Sequence, residues 1–171
     1  MKILALAALA AASPATATVV TASSNGFEVR ETVTTDKSPA QTFAAFGHIG
    51  SWWNAEHSYS GNAANLNLDL RAGGCFCERL ANGGGVQHMT VTFGDPGKHI
   101  VLTGSLGPLL FLATTGVMDV TFEPVGAGTR MVLDYRASGF FNGGAAKIAP
   151  AVDGVLGQQA AALKAYLANA S

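Results

Sequence analysis

Charged side chains are scarce in this sequence: Asp, Glu, Lys and Arg together make up 12% of its 171 residues, about half the usual quarter. Ten Lys and Arg stand against eleven Asp and Glu, the formal net charge is -1, and no basic cluster occurs. The long-range attraction that carries nucleic-acid binding is therefore missing, and no nucleic-acid partner is expected. Beyond the N-terminus no apolar run approaches the roughly 20 residues of a membrane-crossing helix, so no stable span is expected. Cysteine is limited to Cys75 and Cys77. A bridge between positions i and i+2 would strain a regular strand, where the two side chains share a face without converging. Two thiolates also leave a tetrahedral zinc site half built, and nothing in the sequence brings His57, His88 or His99 to them. Two strand cysteines, oxidised or reduced, are the expectation, and no metal. The run Ala81 to Gly85 (ANGGG) has no helix signal after it and makes no phosphate cradle, so no cofactor is implied. No nucleophile-elbow pattern, internal repeat or interdomain linker occurs.

The N-terminus has its own pattern. Lys2 precedes an apolar run from Ile3 to Ala12, and Pro14-Ala15-Thr16-Ala17 ends in small residues. This is the layout of a secretory signal peptide, residues 1–17, cleaved after Ala17. The expectation is an exported, periplasmic, soluble protein with a mature chain of about 154 residues. Residues 18–25 (TVVTASSN) read as a leader, and residues 26–168 as one domain, long enough for a real core.

Alternation then predicts strands over 27–34, 66–70, 75–80, 86–93, 99–106, 116–123 and 128–135. In the fourth of these, Met89, Val91 and Phe93 share one face against His88, Thr90 and Thr92. A short helix starts at Pro39, capped by Asp36 or Ser38, and a second short helix or turn follows through Trp52-Trp53. The closing segment, residues 147–167, carries Ile148, Val152, Val155, Leu156, Leu163, Tyr166 and Leu167 at helical spacing. Strands followed by one long amphipathic helix indicate an α+β protein with the helix against one face of an antiparallel sheet.

Gly50-Ser51-Trp52-Trp53, then residues 68–76 (LDLRAGGCF), residues 120–130 (VTFEPVGAGTR) and residues 152–159 (VDGVLGQQ) resemble landmarks of the SRPBCC (START/Bet v 1-like) superfamily. More narrowly they are similar to its polyketide cyclase/dehydrase and Hsp90-ATPase-activator homology branch. The resemblance implies a helix-grip (Bet v 1-like) fold: a curved seven-stranded antiparallel sheet around a long C-terminal helix, with two short helices at one end. It also implies an apolar pocket between sheet and helix for a lipid-like or aromatic ligand.

Apolar alternation fills either a solid core or the wall of such a pocket. On the pocket reading, a closed space of some hundreds of cubic ångströms is expected, lined from the sheet by Phe76, Met89, Leu102 and Met118. Of Trp52 and Trp53, one would plug the end of the core and the other stand at the pocket entrance with His57 and Tyr59 nearby, Trp53 being a candidate pocket residue. Leu109, Phe111 and Phe141, on apolar loops, are candidate lids or a homodimer face. From the helix, Val152, Gly154 and Leu156 are candidate lining residues, since mid-helix glycine costs about 1 kcal/mol relative to alanine and invites an explanation in ligand space or close packing. Glu31, Glu78 and Tyr135 fall in register with inward apolar residues, as ligand anchors or weak catalytic candidates. His48, His88 and His99 read as surface or strand-edge residues. Three functions follow: a binding protein for a hydrophobic small molecule, which leads; a cyclase- or dehydratase-like enzyme, which needs Glu31, Glu78 or Tyr135 to converge on one pocket point; or a protein-interaction or homodimerisation module.

Overall fold

A computed structural model describes residues 18–169; the expected signal peptide lies outside the described residues. Eight strands form one sheet in the order β1-β2-β8-β7-β6-β5-β4-β3, every neighbouring pair antiparallel. They are β1 (Thr18–Ala22), β2 (Gly26–Thr35), β3 (Leu66–Leu68), β4 (Cys75–Arg79), β5 (Gly85–Asp95), β6 (His99–Gly104), β7 (Thr114–Val125) and β8 (Gly128–Gly139). Between β2 and β3 lie helix α1 (Pro39–Gly47) and single 3-10 turns, and helix α2 (Ala149–Asn169) closes the chain.

This is the expected α+β helix-grip arrangement, with eight strands instead of seven. The extra one is β1: the stretch read as a leader pairs with β2, Thr18 opposite Arg30 and Ala22 opposite Phe27. Four of its five residues are exposed, so it lacks the alternation that reveals a half-buried strand. At α1 the cap is Ser38, whose hydroxyl accepts from the Gln41 N–H while Gln41 Oε1 accepts from the Ser38 N–H at 3.0 Å, with Pro39 in the first turn.

The inner face is mostly apolar along β7 and β8, where Met118, Val120, Phe122, Met131, Leu133 and Tyr135 are all buried, as is the polar Thr129. Strand β5 departs from simple alternation. Its register slips against β4 between Phe76 and Cys77, and against β6 between Val91 and Phe93. Each bulge sets two residues against one and reverses the faces beyond it. His88 therefore turns inward beside Met89, and Phe93, which alternation puts on the face of Met89 and Val91, turns out to solvent and is 47% exposed. At the first bulge Cys75 and Cys77 come to a Cα–Cα separation of 5.3 Å and are disulfide-bonded. The objection drawn from regular strand geometry is overturned, on a strand whose register against β5 slips between Phe76 and Cys77.

Helix α2 packs on β2 and β1 and buries Leu156, Gln159, Ala160, Leu163 and Leu167. The loop after α1 ties its middle and C-terminal parts down. Asn54 N–H donates to Gln159 Oε1 at 2.8 Å, His57 Nε2 meets Gln158 Oε1 at 3.0 Å, and His48 Nδ1 meets the Tyr166 hydroxyl at 3.3 Å.

Candidate functional site

The gap between sheet and α2 is almost filled by side chains. What remains is a cavity of about 20 Å³, room for about one water molecule. The expected space of some hundreds of cubic ångströms is corrected accordingly: Phe46, Trp52, Trp53, Phe76, Met118 and Met131 reach into the gap from the sheet and the α1 region. On the helix side the wall is Leu156, Gln159, Ala160 and Leu163. Trp52 is buried and donates its indole N–H to the Ala45 carbonyl at 3.0 Å; Trp53, half-buried, donates to the His57 carbonyl at 3.0 Å. The one polar wall group is Gln159, and its Nε2 has no hydrogen-bond partner among the described residues.

Of the residues expected around a pocket, Trp53, Phe76, Leu102, Met118 and Leu156 line this cavity. Met89 and Leu109 are buried elsewhere in the core, and Val152 packs half-buried at its edge. Phe141 is buried against Phe27, ring centroids 5.9 Å apart, and does not line the cavity. Phe111 is 76% exposed because it ends a 3-10 turn, Gly107–Phe111, that projects from the sheet. Gly154 is exposed on α2, and a Cβ built there meets nothing within 4 Å. It faces away from the sheet, so the reasoning that made it a lining residue fails. Sequence reasoning missed Gln159 as a wall group, although a glutamine amid apolar positions was the available signal.

Glu78, Glu31 and Tyr135 occupy three separate places, and none lines the cavity. Glu78, 2% exposed, accepts from the Ser60 N–H at 2.5 Å, the Tyr59 N–H at 3.1 Å and His88 Nε2 at 3.1 Å. Burial pushes its pKa up, but the bonds from Ser60, Tyr59 and His88 outweigh this and hold it below the ordinary value. Burial lowers the His88 pKa against the opposing pull of Glu78, which leaves a neutral imidazole facing a carboxylate. His88, read as a surface residue, is thus the partner that sequence reasoning missed; a bulge leaves no mark on the alternation from which faces are assigned. Its ring lies between Tyr59 at 5.8 Å and Phe76 at 4.8 Å. Tyr59 in turn donates to the Gly107 carbonyl at 2.7 Å and packs edge-on to Phe111. The rings Phe111, Tyr59, His88, Phe76 and Trp53 form a continuous row from the exposed loop to the cavity wall.

Tyr135 is fully buried, accepts from the Leu106 N–H at 3.3 Å, and burial pushes its pKa up to about 12. A Cβ on Gly116 would meet its ring and hydroxyl at 2.7 Å, so glycine there makes room for the tyrosine. Glu31 is fully buried and neither carboxylate oxygen has a partner among the described residues. Burial, reinforced by the negative charge of Asp153 on α2, raises its pKa to about 7. Asp153 is raised too, by burial, and its Oδ1 is likewise buried without a partner among the described residues. The convergence that a Glu31–Glu78–Tyr135 active centre requires does not occur. Among the described residues no group of three or more His, Cys, Asp and Glu could hold a metal ion, and no helix is long and apolar enough to cross a membrane.

A single long helix gripped by an antiparallel sheet, with a small apolar cavity between them, defines a ligand-binding class of fold. Residues 26–168 match the family model for polyketide cyclase/dehydrase and lipid transport, and the chain belongs to that family, within the SRPBCC superfamily. Among solved structures it is similar to an uncharacterized protein of Rhizobium leguminosarum, with 20% identity over 88% of this chain and 100% of that one and a TM-score of 0.60. Protein MLL2253 of Mesorhizobium loti aligns at 17% identity over 84% of this chain and 98% of its own, TM-score 0.61. Ara h 8.0201 aligns at 12% identity over 85% and 99% of the two chains, TM-score 0.58. At these identities the likeness is one of fold. No curated protein matches.

Proposed function

We propose that this protein binds a small hydrophobic molecule, lipid-like or aromatic, between the inner face of the sheet and α2, after export to the periplasm. The observation that carries the reading is the cavity wall: apolar on every side, with the unpartnered Gln159 Nε2 as its one polar group. A largely apolar space with a single directional group is what a site for a largely apolar ligand requires. Family membership supports the same reading. At about 20 Å³ the space is a seed for a ligand site, so binding involves α2 moving off the sheet. The export reading rests on the pattern of residues 1–17.

Native mass spectrometry of the protein purified from its own cells tests both parts. The expected result is a chain beginning at Thr18 that carries a retained lipid-like or aromatic molecule. A mass that includes residues 1–17 overturns export. A ligand-free protein that also fails to take up 1-N-phenylnaphthylamine overturns binding.

A further inference from the structure

Three buried carboxylate oxygens at the boundary of sheet and helix have no hydrogen-bond partner among the described residues: Oε1 and Oε2 of Glu31 on β2, and Oδ1 of Asp153 on α2. Neither group lines the cavity, but each neighbours a residue that does. Glu31 pairs in register with Leu133 of β8, and Asp153 lies one helical turn before Leu156; Leu133 and Leu156 both form the cavity wall. Along β2 the inward neighbours of Glu31 are Val29 and Val33, both fully buried, so the surroundings of the pair are apolar. Among the described residues, the charged group acting on Glu31 is Asp153. A buried carboxylate with no partner is costly, and a second negative charge acting on it makes it more so. Such an arrangement is satisfied by a ligand group that brings positive charge and donors together.

Building on the hydrophobic-ligand reading above, we infer that the ligand is an amphipathic amine whose ammonium group sits between Glu31 and Asp153 while its apolar body fills the widened cavity. An ammonium offers three N–H donors, and the site offers three unpartnered carboxylate oxygens. Charge-assisted bonds of this kind are about twice as strong as neutral ones, so a hydroxyl head is a poorer match. A carboxylate head would add a third negative charge. A hard divalent cation demands six or more oxygens, and two carboxylates fall short.

The test compares decylamine, decanol and decanoic acid below their micellar concentrations, by calorimetric titration of the full-length mature protein. Decylamine is expected to bind at least tenfold more tightly than decanol, and decanoic acid most weakly. Raising the pH from 5.5 to 8.5 tightens decylamine binding as Glu31 ionises, and leaves decanol unchanged. Asp153→Asn and the near-isosteric Glu31→Gln each weaken decylamine about tenfold or more and move decanol less than twofold, with circular dichroism confirming that both variants fold. Decanol or decanoic acid binding as well as decylamine, or variants that shift both probes alike, overturns the inference while the pocket reading stands. Failure of all three probes to bind overturns the pocket reading itself, and the inference with it.

Discussion

Glu31 and Glu78 point to the same face of the sheet, yet they titrate in opposite directions because their partners differ. Glu78 is held by two backbone N–H groups and His88, so its stabilising effect is present above the ordinary carboxylate range and is lost as pH falls through its depressed pKa. Glu31 has no donor among the described residues and a pKa raised from 4.5 to about 7. Its protonated form is the one the fold tolerates. The stability it permits is therefore full below pH 4.5 and is lost as pH rises through about 7. A displacement of this size corresponds to a loss on the order of 3 kcal/mol, and the raised pKa of Asp153 adds in the same direction. Urea unfolding at a series of pH values is expected to show the midpoint falling across that window for the natural chain. For Glu31→Gln, which cannot ionise, the profile is much flatter. An equally steep fall in the variant would show that Glu31 is not the group responsible.

At the scale of elements, α2 shows what a helical pattern reveals and what it hides. Its buried residues Leu156, Ala160, Leu163 and Leu167 follow the spacing from which the helix was expected, and the helix runs two residues past the expected end. The role of Gly154 was not legible, because a glycine beside an apolar stripe signals close approach and empty surroundings alike. With Gly154 exposed and open space around a built Cβ, Gly154→Ala is expected to raise stability by roughly 0.5–1 kcal/mol, read as a higher urea midpoint at unchanged slope. Destabilisation would mean that the glycine is needed for contact. The sheet divides in the same way. Alternation along β7 and β8 gives their inner faces directly, since both run without a slip in register. It fails in β5, where two bulges turn His88 in and Phe93 out, and in β1, whose mostly exposed residues carry no pattern. The candidate site suffered most, because its polar groups are defined by contacts between elements: Glu78 with His88, Glu31 with Asp153, and Gln159 with Asn54. No pattern local to one strand encodes those meetings.

For the molecule as a whole, the question is which part yields to make room for a ligand. The fastenings of α2 are uneven. Its middle and C-terminal parts are bonded to the α1 region through Gln158, Gln159 and Tyr166 and sink Leu163 and Leu167 into the core. Its N-terminal part, residues 149–155, offers only Ala149 as a buried residue and carries Asp153, whose negative charge acts on Glu31. Few buried apolar contacts and an unfavourable electrostatic pairing mark a segment of low local stability. The helix should therefore open as a hinge, its first two turns lifting from β1 and β2 while the far end stays docked. Amide hydrogen exchange on the ligand-free protein is expected to be markedly faster at residues 152–156 than at 160–167, and faster still when pH is raised through 7 after correction for the intrinsic rate. A bound amphipathic probe at 100 times its dissociation constant stabilises the protein by about 2.7 kcal/mol, and in this arrangement its largest protection falls on residues 152–156. Uniform exchange along α2, or protection confined to the Phe111 loop, would place the opening elsewhere in the fold.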